Sequence, residues 1–254
     1  MVAPGRGARF RFKSTGMMTF SDLFTARQKL ALASFSRLIG AFPDGGAKDL
    51  LAMAESHVVT RNSSLCLWRY HADQEKVEHI FGRQTLSVVW DFAEAVPISD
   101  VTGSFEDGIA GVTLAAGVIR ESMAETGQVS IADACAVPLP DETASVWFTD
   151  PPYYDAIPYS DLADLFFVWL KRALPDSPVL FDPFDSRNSL TPKLQEIVQD
   201  EMRTAFGHVK DRVFFETRMA QAFREGRRIL GPGGVASVVF AHKTTEGWEH
   251  CYPE

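Results

Sequence analysis

An α/β fold carrying a parallel sheet, preceded by a mainly helical region, is what the order of elements in this 254-residue sequence predicts. Through residue 127 the apolar residues recur mostly at helical spacing. From residue 128 onward the short runs "QVSIADA" and "ASVWFTD", rich in β-branched and aromatic residues, are followed by helical stretches and then by "GVASVVFAH". Strand, helix and strand in that order call for a crossover connection and hence a parallel sheet. The sequence therefore divides into a mainly helical region, 1–127, and an α/β region, 128–254.

In chain order, "FSDLFTARQKLALASFSRLIGAF" predicts a first helix with Ser21 or Asp22 as its N-cap, closed before Pro43-Asp44-Gly45-Gly46. "AKDLLAMAESHVV" predicts a second, and "SFEDGIAGVTLAAGVIRESMAE" a third that ends before Gly127. Between them lie short aromatic segments with a turn at Gly82. In the second half, "VPLPDET" is a polar turn between two strands, helices are expected near 161–174, 192–204 and 209–230, and the segment up to Pro192 is looser. "LGPGG", Leu230 to Gly234, reads as the turn from the last helix into the last strand, where glycine supplies positive φ and proline blocks further helix. Trp68, Trp90, Trp147 and Trp169 read as core residues, and Ser160, Asp161 and Asp164 as caps of the helix they open.

With 46% apolar and 11% aromatic residues the chain can build a core. No apolar run reaches the roughly 20 residues of a membrane span, so the expectation is a soluble, cytoplasmic protein with no membrane partner. Cys66, Cys135 and Cys251 are odd in number and far apart, which writes neither a disulfide framework nor a metal ribbon. A net charge of −8 argues against coating nucleic acid through bulk charge. Local basic stretches remain: Arg6, Arg9, Arg11, Lys13, Arg27, Lys29 and Arg37 near the start, and Arg203, Lys210, Arg212, Arg218, Arg224, Arg227 and Arg228 later.

The chemistry concentrates where "ASVWFTD" runs into "PPYYDAIPYS". Asp150 falls at the carboxyl end of a strand, the edge on which sites of open α/β sheets collect. Pro151 and Pro152 fix two φ angles and bring no N–H, so carbonyl oxygens are held beside the Asp150 carboxylate as an acceptor-only claw. Its complement is a planar group with two N–H donors, such as the exocyclic amine of adenine or cytosine, with the Tyr153 ring available to stack on the base. Two acceptors gripping the hydrogens of an aromatic amine push its nitrogen towards a tetrahedral state whose lone pair can attack an electrophilic methyl group. A base held this way has left its stack, at a cost of a few kcal/mol.

"DPPY", Asp150 to Tyr153, resembles motif IV of S-adenosylmethionine-dependent amino-methyltransferases acting on adenine N6 or cytosine N4. "SDLFTARQKLAL", "FGRQTLSVVWDFAEAVP", "DPPYYDAIPYSDLADLFFVWLKRAL", "LTPK" and "GRRILGPGGVASVVFAHKTTEGWE" are similar to blocks of the large adenine-specific DNA methylases often described as containing a zinc ribbon. The resemblance implies a class I (Rossmann-like) methyltransferase sheet, here partial, with S-adenosyl-L-methionine as donor and adenine N6 in DNA as acceptor. It implies that Asp150, Pro151, Pro152 and Tyr153 hold the target amine and that Asp133, 17 positions earlier, approaches the adenine of the cofactor.

That family also carries a glycine-rich cofactor loop, Asp-Pro-Phe-x-Gly-x-Gly, followed by an acid for the ribose. "SFEDGIAG", Ser104 to Gly111, has two glycines but reads as a helix start, and "LFDPFDSRN" has Asp-Pro-Phe at 182–184 with no glycine after it. The expectation is an internal piece of a methylase, with a second chain supplying the cofactor loop. Two alternatives stand beside it: a catalytically inactive remnant or DNA-binding subunit, and a methyltransferase for another amine such as an RNA base or a glutamine side chain. His242 and Lys243 end the last strand on the Asp150 edge, while Arg83 and Gln84 sit in "FGRQ" without an assigned mechanism.

Overall fold

A computed structural model describes residues 16–71, 74–81, 86, 88–122 and 127–240. Among these the protein is mixed α/β, with five α-helices, two antiparallel strand pairs and one parallel pair. Arg83, Gln84, Cys251, His242 and Lys243 lie outside the described residues, as do Arg6, Arg9, Arg11 and Lys13. No described helix is long and apolar enough to cross a membrane.

The chain forms two compact units: Met1–Val129 with Ser160–Thr191, and Ser130–Tyr159 with Pro192–Glu254. The sequence division at 127/128 places 160–191 with the second half. In the structure this stretch belongs to the first unit, because Leu165, Val168, Trp169 and Leu190 are buried in the same core as Phe20, Leu32, Val58 and Val59.

In the first unit α1 (Ala26–Gly40) begins later than the sequence predicts. Thr25 is its N-cap: its hydroxyl accepts from Gln28 N, and the Gln28 side chain accepts from Thr25 N at 2.8 Å. Ser21 and Asp22 lie instead in a 3₁₀ turn, where the Asp22 carboxylate is taken by the backbone N–H groups of Met18 and Thr19. Next come α2 (Gly46–Arg61), the hairpin of β1 (Trp68–His71) and β2 (Gln74–Val77), and α3 (Phe105–Ser122). Gly108 lets α3 approach α2 closely, since a Cβ there would sit 2.7 Å from the Ala54 carbonyl oxygen. "SFEDGIAG" is therefore a packed helix start. Trp169 is buried and meets Phe24 edge-on at 5.3 Å, but Trp68 is half exposed and Trp90 fully so, which corrects their reading as core.

Residues 127–133, where the first unit gives way to the second, form no strand; Val129 and Ile131 are exposed, and among the described residues no strand pairs with them. β3 (Ala144–Thr149) follows, then α4 (Tyr159–Ala173), which passes into the first unit. The helix expected near 192–204 is replaced by an irregular segment and the hairpin of β4 (Asp200–Ala205) and β5 (His208–Lys210). Phe206 and Gly207, at φ 53° and 81°, make the two-residue turn that folds β4 back.

α5 (Arg212–Ile229), capped by Asp211, leads directly into β6 (Leu230–Val238), which pairs parallel with β3. "LGPGG" lies inside β6 rather than before it. Ala144 faces Leu230 and Val146 faces Val235, so five positions on β6 run against two on β3 and the predicted turn is absorbed as a bulge. Gly226 of α5 sits on the Trp147 ring, where a Cβ would come within 2.4 Å of it, and Phe223 meets that ring edge-on.

Candidate active site

The parallel pairing of β3 with β6 puts Asp150 where the sequence predicts, one residue past the carboxyl end of β3, with Val239 N donating to the Thr149 carbonyl at 2.8 Å to hold the strand end. Asp150 is exposed, Pro151 is buried, and Pro152 and Tyr153 are half-buried. Among the described residues no hydrogen bond reaches the carbonyl of Pro151 or Pro152. Both carbonyl oxygens are thus left without a donor, next in the chain to an exposed carboxylate.

The carboxylate is not idle. The Tyr153 hydroxyl donates to Asp150 Oδ1 at 2.6 Å, a bond that, with partial burial and the Asp150 charge, pushes the phenol up to about 12. An incoming amine therefore meets Oδ2 directly and shares Oδ1 with the phenol. The Tyr153 ring lies edge-on to Phe240, 5.2 Å between centroids, and Ala156 N donates to the Tyr153 carbonyl to close the turn after the motif.

Tyr154 is the residue that the sequence gives no reason to single out. It takes φ 49°, a left-handed conformation rare for a bulky side chain. The turn is over-determined around it: its ring stacks on Phe215 at 4.3 Å, its hydroxyl donates to Glu216 at 3.3 Å, and its carbonyl accepts from Gln199 N at 3.0 Å. This buried anchor turns the chain so that Asp150 stays exposed while Tyr154 joins the core of Ile197, Phe215, Met219 and Phe240, against which Tyr153 packs half-buried.

Asp133 lies in the same unit, but its carboxylate is engaged. One guanidinium nitrogen of Arg218, on α5, donates to both of its oxygens at 2.8 and 3.1 Å, and Cys135 N donates at 2.8 Å. The ion pair is mostly buried, so breaking it would strand a charge. Cys135 is buried, its thiol pushed up to about 11 by that burial, and Cys66 is likewise buried and raised, which fits packing thiols. Asp164 binds Thr191 through backbone and side chain and thereby tethers the segment after α4 instead of capping it.

The fit to S-adenosylmethionine is incomplete. Both glycines of "SFEDGIAG" lie inside α3, with Gly108 against Ala54, "DPF" at 182–184 is an Asp182-closed turn with Asp182 accepting from Phe184 N and Asp185 N, and Asp133 is neutralised by Arg218. No group of metal-binding side chains occurs among the described residues. What the arrangement can do is accept two N–H donors at a strand end beside an aromatic ring. No family model, curated protein or solved structure matches this chain.

Proposed function

We propose that the chain is the target-amine half of a DNA amino-methyltransferase, related to the large adenine-specific methylases that its sequence resembles, with a partial class I (Rossmann-like) sheet. The observation that carries this reading is Asp150, exposed past the carboxyl end of a parallel strand and followed by two prolines. Asp150 and the neighbouring proline carbonyl accept the two hydrogens of an exocyclic amine, adenine N6 in DNA, and Tyr153 lies against the extruded base. The methyl donor, S-adenosyl-L-methionine, is held by a second chain, because the described residues of this one do not complete its site. The naked apolar face of the parallel pair, with Val146, Phe148 and Val235 all more than half exposed, supports such a partner, since parallel sheets are ordinarily covered on both faces.

The engaged state of Asp133 favours a second reading, in which the chain binds DNA without catalysis. One experiment tests the first: transfer of labelled methyl to DNA by the protein isolated with its natural partners, followed by digestion to nucleosides. N6-methyladenine that vanishes in the Asp150→Ala protein is expected. N4-methylcytosine would overturn the acceptor, and undiminished transfer by Asp150→Ala would overturn the claw.

A further inference from the structure

The second unit holds a cavity of about 580 Å³ between the β4–β5 hairpin and the first turns of α5. Its volume lies in the range of small-ligand sites, and none of residues 150–153 lines it. Its most exposed aromatic is Phe206, at the first position of a turn whose two central residues both have positive φ. Glycine and asparagine are the ordinary occupants there. Burial does not hold the ring in place, because Phe206 is 57% exposed. A strained backbone that presents an exposed aromatic ring to a cavity is the pattern of a ligand contact rather than of packing.

One face of that ring is already taken. The Arg218 guanidinium lies 5.3 Å from the Phe206 ring centroid, pinned by Asp133 on one side and by Gln221 on the other. Its charge is already matched by Asp133, so the cavity is not a phosphate site. Val213 and Phe214 add apolar surface, and His208 and Thr217 bring polar atoms that suit the edge of a heterocycle.

We propose that this cavity binds a nucleobase, an uncharged planar heterocycle stacked on the face of Phe206 that Arg218 leaves open, with its edge against His208 and Thr217. The base belongs either to a free nucleoside or to a single-stranded nucleic acid. The site uses other residues than the Asp150 claw and stands or falls independently of the methyltransferase reading.

Thymidine, thymidine monophosphate and a short oligothymidylate make suitable probes, since thymine has no exocyclic amine to engage the claw. Calorimetric titration of the full chain is expected to show saturable binding. Binding of thymidine itself assigns the site to a free nucleoside, and binding of the oligonucleotide alone assigns it to a strand. Phe206→Gly and Phe206→Asn suit the turn at least as well as phenylalanine does, so both are expected to keep the melting temperature while losing roughly tenfold or more in affinity. Asp150→Ala is expected to bind as the wild type does. Absence of binding by all three probes would overturn the proposal. So would unchanged affinity in Phe206→Gly, loss of affinity in Asp150→Ala, or a monophosphate bound tenfold more tightly than the nucleoside.

Discussion

At Asp150 the question is which donor the carboxylate holds. In the structure it is the Tyr153 hydroxyl, so substitutions at 153 act on two things at once, the ring and the occupancy of Oδ1. Tyr153→Phe keeps the ring and frees Oδ1, and is expected to leave methyl transfer near the wild-type rate. Tyr153→Ala removes the ring as well and is expected to cost about 1–3 kcal/mol in base binding, the worth of one aromatic stack. Equal losses in labelled-methyl transfer for the two variants would show that the phenol acts chemically. A second buried carboxyl, Glu55, bears on stability. It is almost fully buried, bonded to Ser36, and burial pushes it from 4.5 up to about 7 despite that bond and the nearby Arg172. A carboxyl whose folded pKa is raised contributes stability below its unfolded pKa and loses it as pH climbs through the folded one. Between about pH 4.5 and 7 the first unit is therefore expected to weaken. Glu55→Gln is expected to be more stable than wild type at pH 8, by about 1–3 kcal/mol, with the gap closing by pH 5. Urea unfolding at the two pH values measures it, and a variant less stable at pH 8 would contradict this account.

At the scale of elements, the β3–α5–β6 arrangement depends on one close contact, Gly226 against Trp147. The indole cannot retreat without moving β3 or α5, so Gly226→Ala is expected to destabilise the second unit by about 1–3 kcal/mol through overpacking. Thermal melting that rises instead would mean that the contact is looser than the geometry shows. The same elements mark how far the sequence could be read. "ASVWFT" and "GVASVV" carry their β-branched residues in runs too short for helices, and the helical stretch between them forces a parallel pair, so the position of Asp150 was legible. The β4–β5 hairpin was not, because its turn is Phe-Gly rather than Asn-Gly and "DEMRTA" carries no strand alternation. "QVSIADA" has strand composition, but composition does not supply a neighbour to pair with, and the segment stays out of the sheet. Nor could the sequence show that Arg218, 85 residues on, neutralises Asp133.

For the whole molecule, the distribution of site parts decides what the chain does alone. Among the described residues stand an exposed Asp150 at a strand end, an engaged Asp133 and no complete seat for the methionine end or the ribose of the cofactor. Titration of the purified chain with S-adenosylmethionine is expected to give millimolar affinity or weaker, since each 1.4 kcal/mol of missing contact is tenfold. Micromolar binding without a partner would show that a cofactor seat lies within the chain. Whether Asp150 grips an exocyclic amine can be measured without any methyl donor, by comparing two oligonucleotides that differ only in adenine against purine at one position. The wild-type chain is expected to bind the adenine strand about tenfold more tightly, the worth of one well-made hydrogen-bonded pair, and Asp150→Ala is expected to bind both alike. Equal affinities in the wild type, or an adenine preference that survives in Asp150→Ala, would contradict the claim.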